Sequence, residues 1–166
     1  MDGELVCHPF EPIWSPSSRV LILGTMPSLK SRLNQFYYGH PQNRFWPLLA
    51  RLFACPVPQT SDARRALILD HQLALWDVLM RCTIRGSADS AIRSPTVNPI
   101  ADLVARCPIR LVVANGQKAG ALYRQHVQAQ IRLPLVVLPS TSPANARLSL
   151  DDLAETWQVI PDCLSS

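Results

Sequence analysis

Acidic residues are missing from two long stretches of this 166-residue chain. None occurs between Glu11 and Asp62, a span holding Arg19, Lys30, Arg32, Arg44 and Arg51. None occurs between Asp102 and Asp151, a span holding Arg106, Arg110, Lys118, Arg124, Arg132 and Arg147. A surface with these cations and no carboxylates would attract a phosphate backbone. The plainer reading is an arginine-rich surface set by base composition, since arginine outnumbers lysine fourteen to two and the net charge is only +4.

Other absences narrow the class further. The five cysteines, Cys7, Cys55, Cys82, Cys107 and Cys163, are an odd number, scattered, with no C-x-x-C pair. The four histidines lie far apart in sequence. Neither pattern suits a disulfide framework, a zinc site or an iron–sulfur cluster, so no metal is expected. No apolar run approaches the roughly 20 residues that a membrane-spanning helix needs. The N-terminal MDGELVCHPFEP has acids where a secretion signal would be basic. The phosphate-cradling G-x-G-x-x-G and G-x-x-x-x-G-K-[ST] patterns are both missing, which argues against a nucleotide-binding domain and leaves no cofactor to expect. Repeats, low-complexity tracts and a clear linker are absent too. The expectation is one domain over residues 1–166, cytoplasmic, monomeric and without membrane contact, its 48% hydrophobic content enough for a core.

What is there alternates. Residues 19–23 (RVLIL), 111–114 (LVVA) and 135–138 (LVVL) are short runs, rich in β-branched residues and leucine, that read as buried parallel strands. Residues 73–79 (LALWDVL) read as strand or helix, with strand favoured. Helical patterns cover 45–54, with Pro47 tolerable only in a first turn, and 61–71, with Ser61 and Asp62 as candidate N-caps. They also cover 99–107 behind Asn98-Pro99, 117–130, and 149–158 from Ser149. Strands alternating with helices imply an α/β/α sandwich around a four-stranded, mainly parallel sheet. In such sheets ligands bind beyond the carboxyl ends of the strands, so the loops after residues 23, 79, 114 and 138 are the ones to read.

Two of those loops are unusual. The first, residues 24–46, is GTMPSLKSRLNQFYYGHPQNRFW; the second, from Val137, is VLPSTSPAN. The strand-then-GTMPS turn followed by YYGHPQNRFW resembles the first motif of the mismatch-specific uracil/thymine glycosylases. It looks closer still to the hypoxanthine-DNA (deoxyinosine) glycosylase branch of the uracil-DNA glycosylase superfamily. VLPSTSPAN resembles the superfamily's second motif, and similarity runs from about residue 19 to 158.

The resemblance implies a pocket for a base flipped out of DNA, with strand order 2-1-3-4. Gly24, Thr25, Met26, Pro27, Ser28, Tyr37, Tyr38 and His40 would line it. Stacking on Tyr37 or Tyr38, with Tyr38 favoured by its spacing from the H-P-x-N stretch, is worth ~1–3 kcal/mol. That is comparable to the cost of flipping the base. Uracil-cleaving relatives carry Asp or Asn where this chain has Met26, and a thioether cannot position a water. The deoxyinosine branch ascribes that role to the residue matching Asn43, whose amide oxygen could orient the water; the alternative for Asn43 is plain helix capping. His40 is expected to shape its turn. From the second motif, Ser142 matches the family's serine and is the second catalytic candidate, while Ser140, Thr141 and Ser142 are possible donors to base or phosphate. Where many relatives insert a leucine wedge, this chain has Ala144, Asn145 and Arg147. Asn115-Gly116-Gln117-Lys118 could hold a phosphate on a helix N-terminus, with Lys118 as the cation, or be an ordinary turn. The polar loop RGSADS, residues 85–90, resembles the branch without an assigned role.

The expected function is therefore excision of hypoxanthine, and possibly of uracil, from DNA in base excision repair. Neither motif contains a lysine, so water is the expected nucleophile and no Schiff base forms. The rivals are a mismatch-type uracil/thymine glycosylase and, because of Met26, a catalytically silent protein that binds damaged DNA.

Overall fold

The structure, a computed structural model, describes residues 4–7, 10–26, 36–84 and 93–166. Pro27, Ser28 and the RGSADS loop lie outside the described residues. Four parallel strands form the central sheet: β2 (Val20–Gly24), β3 (Leu73–Asp77), β6 (Leu111–Asn115) and β7 (Leu135–Leu138). Their spatial order is β3-β2-β6-β7, which is the 2-1-3-4 arrangement expected. Strands β2, β3 and β6 are buried at every position, so both sheet faces are covered. Uninterrupted VLI-rich runs suit only that environment.

The covering helices are α1 (Phe45–Leu52), α2 (Ser61–Asp70), α3 (Ile100–Val104), α4 (Gln117–His126), α5 (Leu150–Trp157) and α6 (Val159–Ser165). Most lie where the sequence pattern predicts, and α6 was not expected. Two caps differ. Helix α2 is capped by Thr60, which accepts from the Ala63 N–H, rather than by Ser61 or Asp62. Asn98 does not cap α3. It donates instead to the carbonyls of Asp77 (2.9 Å) and Leu79 (3.1 Å), which holds the end of β3 in place. Ser149 caps α5 as expected, and Asp152 completes a capping box.

A second, antiparallel sheet has order β1-β4-β5 and was not anticipated. It comprises β1 (Glu4–Cys7), β4 (Leu79–Ile84) and β5 (Arg93–Val97). The run 73–79 is in fact two strands, parted at Val78, whose N–H turns to the Gly24 carbonyl (2.8 Å). No described helix is long and apolar enough to cross a membrane.

Register places polar residues where the sheet ends. Gly24 sits opposite Asp77, and Asn115 sits opposite Leu138. The last residues of neighbouring strands thus share one rim, beside which the two motif loops meet.

Candidate active site

The HPQNRFW segment enters α1 through a tight turn. His40 accepts the Gln42 N–H on Nδ1 (3.0 Å), and its carbonyl accepts the Asn43 N–H (2.9 Å). Both bonds lie within the turn, so His40 braces it on its side-chain and main-chain sides. Asn43 follows, its Oδ1 accepting the N–H of Phe45, the first residue of α1 (2.9 Å).

The same Oδ1 accepts the hydroxyl of Thr141 (2.9 Å). Thr141 belongs to the loop after β7 and is fully buried. Its carbonyl accepts the Arg44 N–H (3.1 Å), so adjacent residues of one motif grip a single residue of the other. The Arg44 guanidinium completes the seam by donating to the carbonyls of Leu148, Ser142 (3.3 Å) and Asn145 (2.8 Å). Charge-assisted bonds of this kind are worth about 1.5–3 kcal/mol each. Beneath them Asn115 clamps Thr141 twice: Nδ2 donates to its hydroxyl (3.1 Å) and Oδ1 accepts its N–H (3.1 Å).

Tyr38 packs against the first residue of α1. Its ring stacks on Phe45 at 4.1 Å between centroids, an aromatic pair worth about 0.5–1.5 kcal/mol beyond its burial. Its backbone takes φ +52°, a left-handed conformation that costs a non-glycine residue energy. Its hydroxyl comes so close to Gly24 that a β-carbon there would sit 2.6 Å from it and 2.3 Å from Asp77 Oδ1. Gly24 is therefore a required close approach, with a tyrosine hydroxyl and a carboxylate gathered over it. Asp77, 3% exposed, is the one buried acid among the described residues.

The remaining expected residues separate into those at the site and those away from it. Thr25 is buried beside the rim and Met26 packs partly buried against the core. Tyr37 belongs to the core: it is 2% exposed, packed by Phe10 and Phe36, and donates its hydroxyl to the Glu11 carbonyl (2.8 Å). Burial, then the nearby Asp77 charge, pushes its pKa far up, so it stays neutral. Thr141 is likewise too buried to touch DNA with its hydroxyl, which already serves Asn43. Ser140 accepts the Ser142 N–H (3.0 Å), and Ser142 accepts the Ala144 N–H (3.2 Å), which stiffens the loop. Asn145 donates to the Ser140 carbonyl (3.0 Å). A cleft of about 580 Å³ runs between this loop and the start of α4, lined by Gln117, Pro139, Ser140, Asn145, Arg147 and Leu148. Lys118 follows Gln117 on α4, and Arg147 is exposed. Among the described residues no group of three or more His, Cys, Asp or Glu is placed to hold a metal.

The sequence did not mark out the structural parts played by Arg44 and Asp77, and it pointed Asn115 at a phosphate rather than at Thr141. Each carried a weak signal. Asp77 and Asn115 are the polar ends of otherwise apolar strands, and Arg44 lies in a stretch with no carboxylate to pair with.

Residues 12–162 match the family described as the uracil DNA glycosylase superfamily. The chain belongs to that superfamily. Two relatives carry the name hypoxanthine DNA glycosylase. One, from Methanosarcina acetivorans, is 32% identical over 158 residues, covering 94% of this chain and 98% of the relative. The other, from Methanosarcina barkeri, is 31% identical over 150 residues, covering 89% and 93%. A solution NMR structure of a Methanosarcina acetivorans protein superposes with TM-score 0.79 at 28% identity, covering 95% of this chain and 99% of that one. The matched span 12–162 includes both motif loops and the whole parallel sheet.

Proposed function

We propose that the protein is a monofunctional DNA glycosylase that hydrolyses the N-glycosidic bond of deoxyinosine. Water adds at the sugar C1′, hypoxanthine leaves, and an abasic site remains. The observation that carries this reading is the direct bond between Asn43 and Thr141. It joins two distant segments at the strand rim, where the Tyr38 hydroxyl and the buried Asp77 gather over Gly24. The names of the two Methanosarcina relatives support the choice of base.

The bond breaks through an oxocarbenium-like transition state, with positive charge on the sugar and negative charge on the departing base. Groups that donate to the base act where that charge develops. Asn43 suits this task better than the expected one. Both lone-pair directions of its amide oxygen are engaged, by Phe45 N–H and by the Thr141 hydroxyl, so the oxygen is not available to steer a water. Its Nδ2 makes no hydrogen bond to the described residues and is the end that meets substrate. Ser142, whose Oγ accepts from Ala144, keeps its hydroxyl proton for base or phosphate. Tyr38, braced on Phe45, is the stacking platform.

Asp77 adds discrimination. A carboxylate accepts and cannot donate, and it has room for several donors at once. The lactam N–H of hypoxanthine matches it; the bare ring nitrogen of adenine does not, and a mispaired buried polar group discriminates strongly. Uracil carries the same lactam N–H and is the second candidate base. Arg147, which lines the cleft, and Lys118, next in sequence to its lining residue Gln117, are the phosphate-binding residues in this reading.

Incubating wild type with duplexes holding hypoxanthine, uracil or a G·T mismatch tests the proposal. Release of hypoxanthine is expected, and Asn43→Ala should slow it about 10²- to 10³-fold, the usual effect of losing one such donor. Tight binding of the damaged duplex without release of any base would instead favour a silent binder, the reading motivated by Met26.

A further inference from the structure

The hydrogen bonds around Asn43 have a direction, and backbone groups set it at both ends. Phe45 N–H can only donate, so the Asn43 atom facing it must be the oxygen. Thr141 N–H can only donate, so the Asn115 atom facing it must also be the oxygen. The Asn115 amide nitrogen is then left to donate to the Thr141 hydroxyl. A hydroxyl has one proton, and this one, with its oxygen accepting from Asn115, donates that hydrogen to Asn43 Oδ1. The chain Asn115 to Thr141 to Asn43 runs one way. Asn115 is 8% exposed and Thr141 fully buried, so water does not compete for these bonds.

We propose that Asn115 is a positioning residue for glycosidic cleavage: through Thr141 it locks the Asn43 amide with its oxygen inward and its N–H donors toward the substrate. This rests on the glycosylase reading above and adds a residue from a third segment, the end of β6, to the two that carry the motifs.

The decisive variant is Asn115→Asp, which changes shape little and reverses polarity. The introduced carboxylate accepts both the N–H and the hydroxyl proton of Thr141. Asn43 Oδ1 then loses a donor, and its amide is freed to turn. Under single-turnover conditions, release of hypoxanthine is expected to fall on the order of 10- to 100-fold, as for other misplaced catalytic groups. Affinity for a duplex holding the abasic product should stay within about 3-fold, as no group on the binding surface changes. Lowering the pH protonates the introduced carboxyl, lets it donate again, and should restore part of the rate. In an Asn43→Ala background the substitution should have no further effect on rate. Thr141→Val should reproduce the defect, and Thr141→Ser, which keeps the hydroxyl, should largely rescue it; this pair carries the test if Asn115→Asp does not fold.

A wild-type rate in Asn115→Asp, or an equal loss with and without Asn43, overturns the proposal. One readout is independent of activity. The side-chain N–H signals of Asn43 in NMR, assigned by their loss in Asn43→Ala, should shift in Asn115→Asp and Thr141→Val. They should stay near wild type in Thr141→Ser. If wild type releases no hypoxanthine, the substrate reading fails alone and these signals still decide the relay; unchanged signals overturn it.

Discussion

Asp77 and Gly24 face each other across adjacent strands, and each limits what the other can be. A methyl group on Gly24 would overlap Asp77 Oδ1 at 2.3 Å and the Tyr38 hydroxyl at 2.6 Å. Gly24→Ala should therefore displace both. Overpacking of this kind typically costs about 1–3 kcal/mol, read by urea denaturation, and the loss of hypoxanthine release should exceed what that destabilisation explains. Asp77→Asn is nearly isosteric and replaces one acceptor oxygen by a donor. Its expected signature is a lower rate on hypoxanthine and a narrower ratio of hypoxanthine to adenine cleavage, measured on matched duplexes. An unchanged ratio would remove Asp77 from base recognition.

Among the elements, the loops rather than the strands decide whether the site exists. Arg44 ties the start of α1 to three carbonyls of the loop after β7. A lysine concentrates its donors at one atom without the planar fork, so it fits three carbonyls spread along a loop less well. Arg44→Lys should lower the melting temperature and slow cleavage, and Arg44→Leu should cost about 2–3 kcal/mol through unpaired carbonyls. At the head of α5, Ser149→Ala should cost about 1 kcal/mol by loss of the cap. Asp152, held below the usual carboxylate range by its bonds to Ser149, adds stability above that range. Its contribution disappears as the pH falls through its lowered value, so the wild-type advantage over the Ser149 variant should shrink in acid. Strands β2, β6 and β7 were legible because a buried parallel strand writes itself as an unbroken apolar run. The split of 73–79 at Val78 was not, since nothing in LALWDVL marks where one sheet hands the chain to another. Pro95 hid β5, because proline inside a run argues against a strand. The two site loops could be recognised as segments. The sense of the bonds between them could not, because Thr141 and Asn43 lie 98 positions apart and their polarity depends on backbone donors brought together only by folding.

For the molecule as a whole, the acid-free stretches supply cations near the rim, including Lys118 and Arg147. If about four phosphates are neutralised, affinity for duplex DNA should fall on the order of 10²-fold between 50 and 200 mM salt, from a slope near −0.9 per contact. Arg147→Ala should weaken binding to damaged and undamaged duplex alike and reduce the slope by about 1. A salt-insensitive complex would mean that the arginines merely cover the surface.

Asn115 is followed by Gly116, the dipeptide most prone to spontaneous deamidation, in which the next backbone nitrogen attacks the side-chain amide and expels ammonia. Here that nitrogen donates to the carbonyls of Ala114 (3.1 Å) and Leu138 (2.9 Å), and the amide it would attack is pinned at both ends by Thr141. The native fold thus shields a chemically fragile bond. Repeated unfolding should let it age into aspartate or isoaspartate and slow the enzyme from within, so that a protein that clears deaminated bases would be impaired by the same type of ammonia-releasing damage in its own chain.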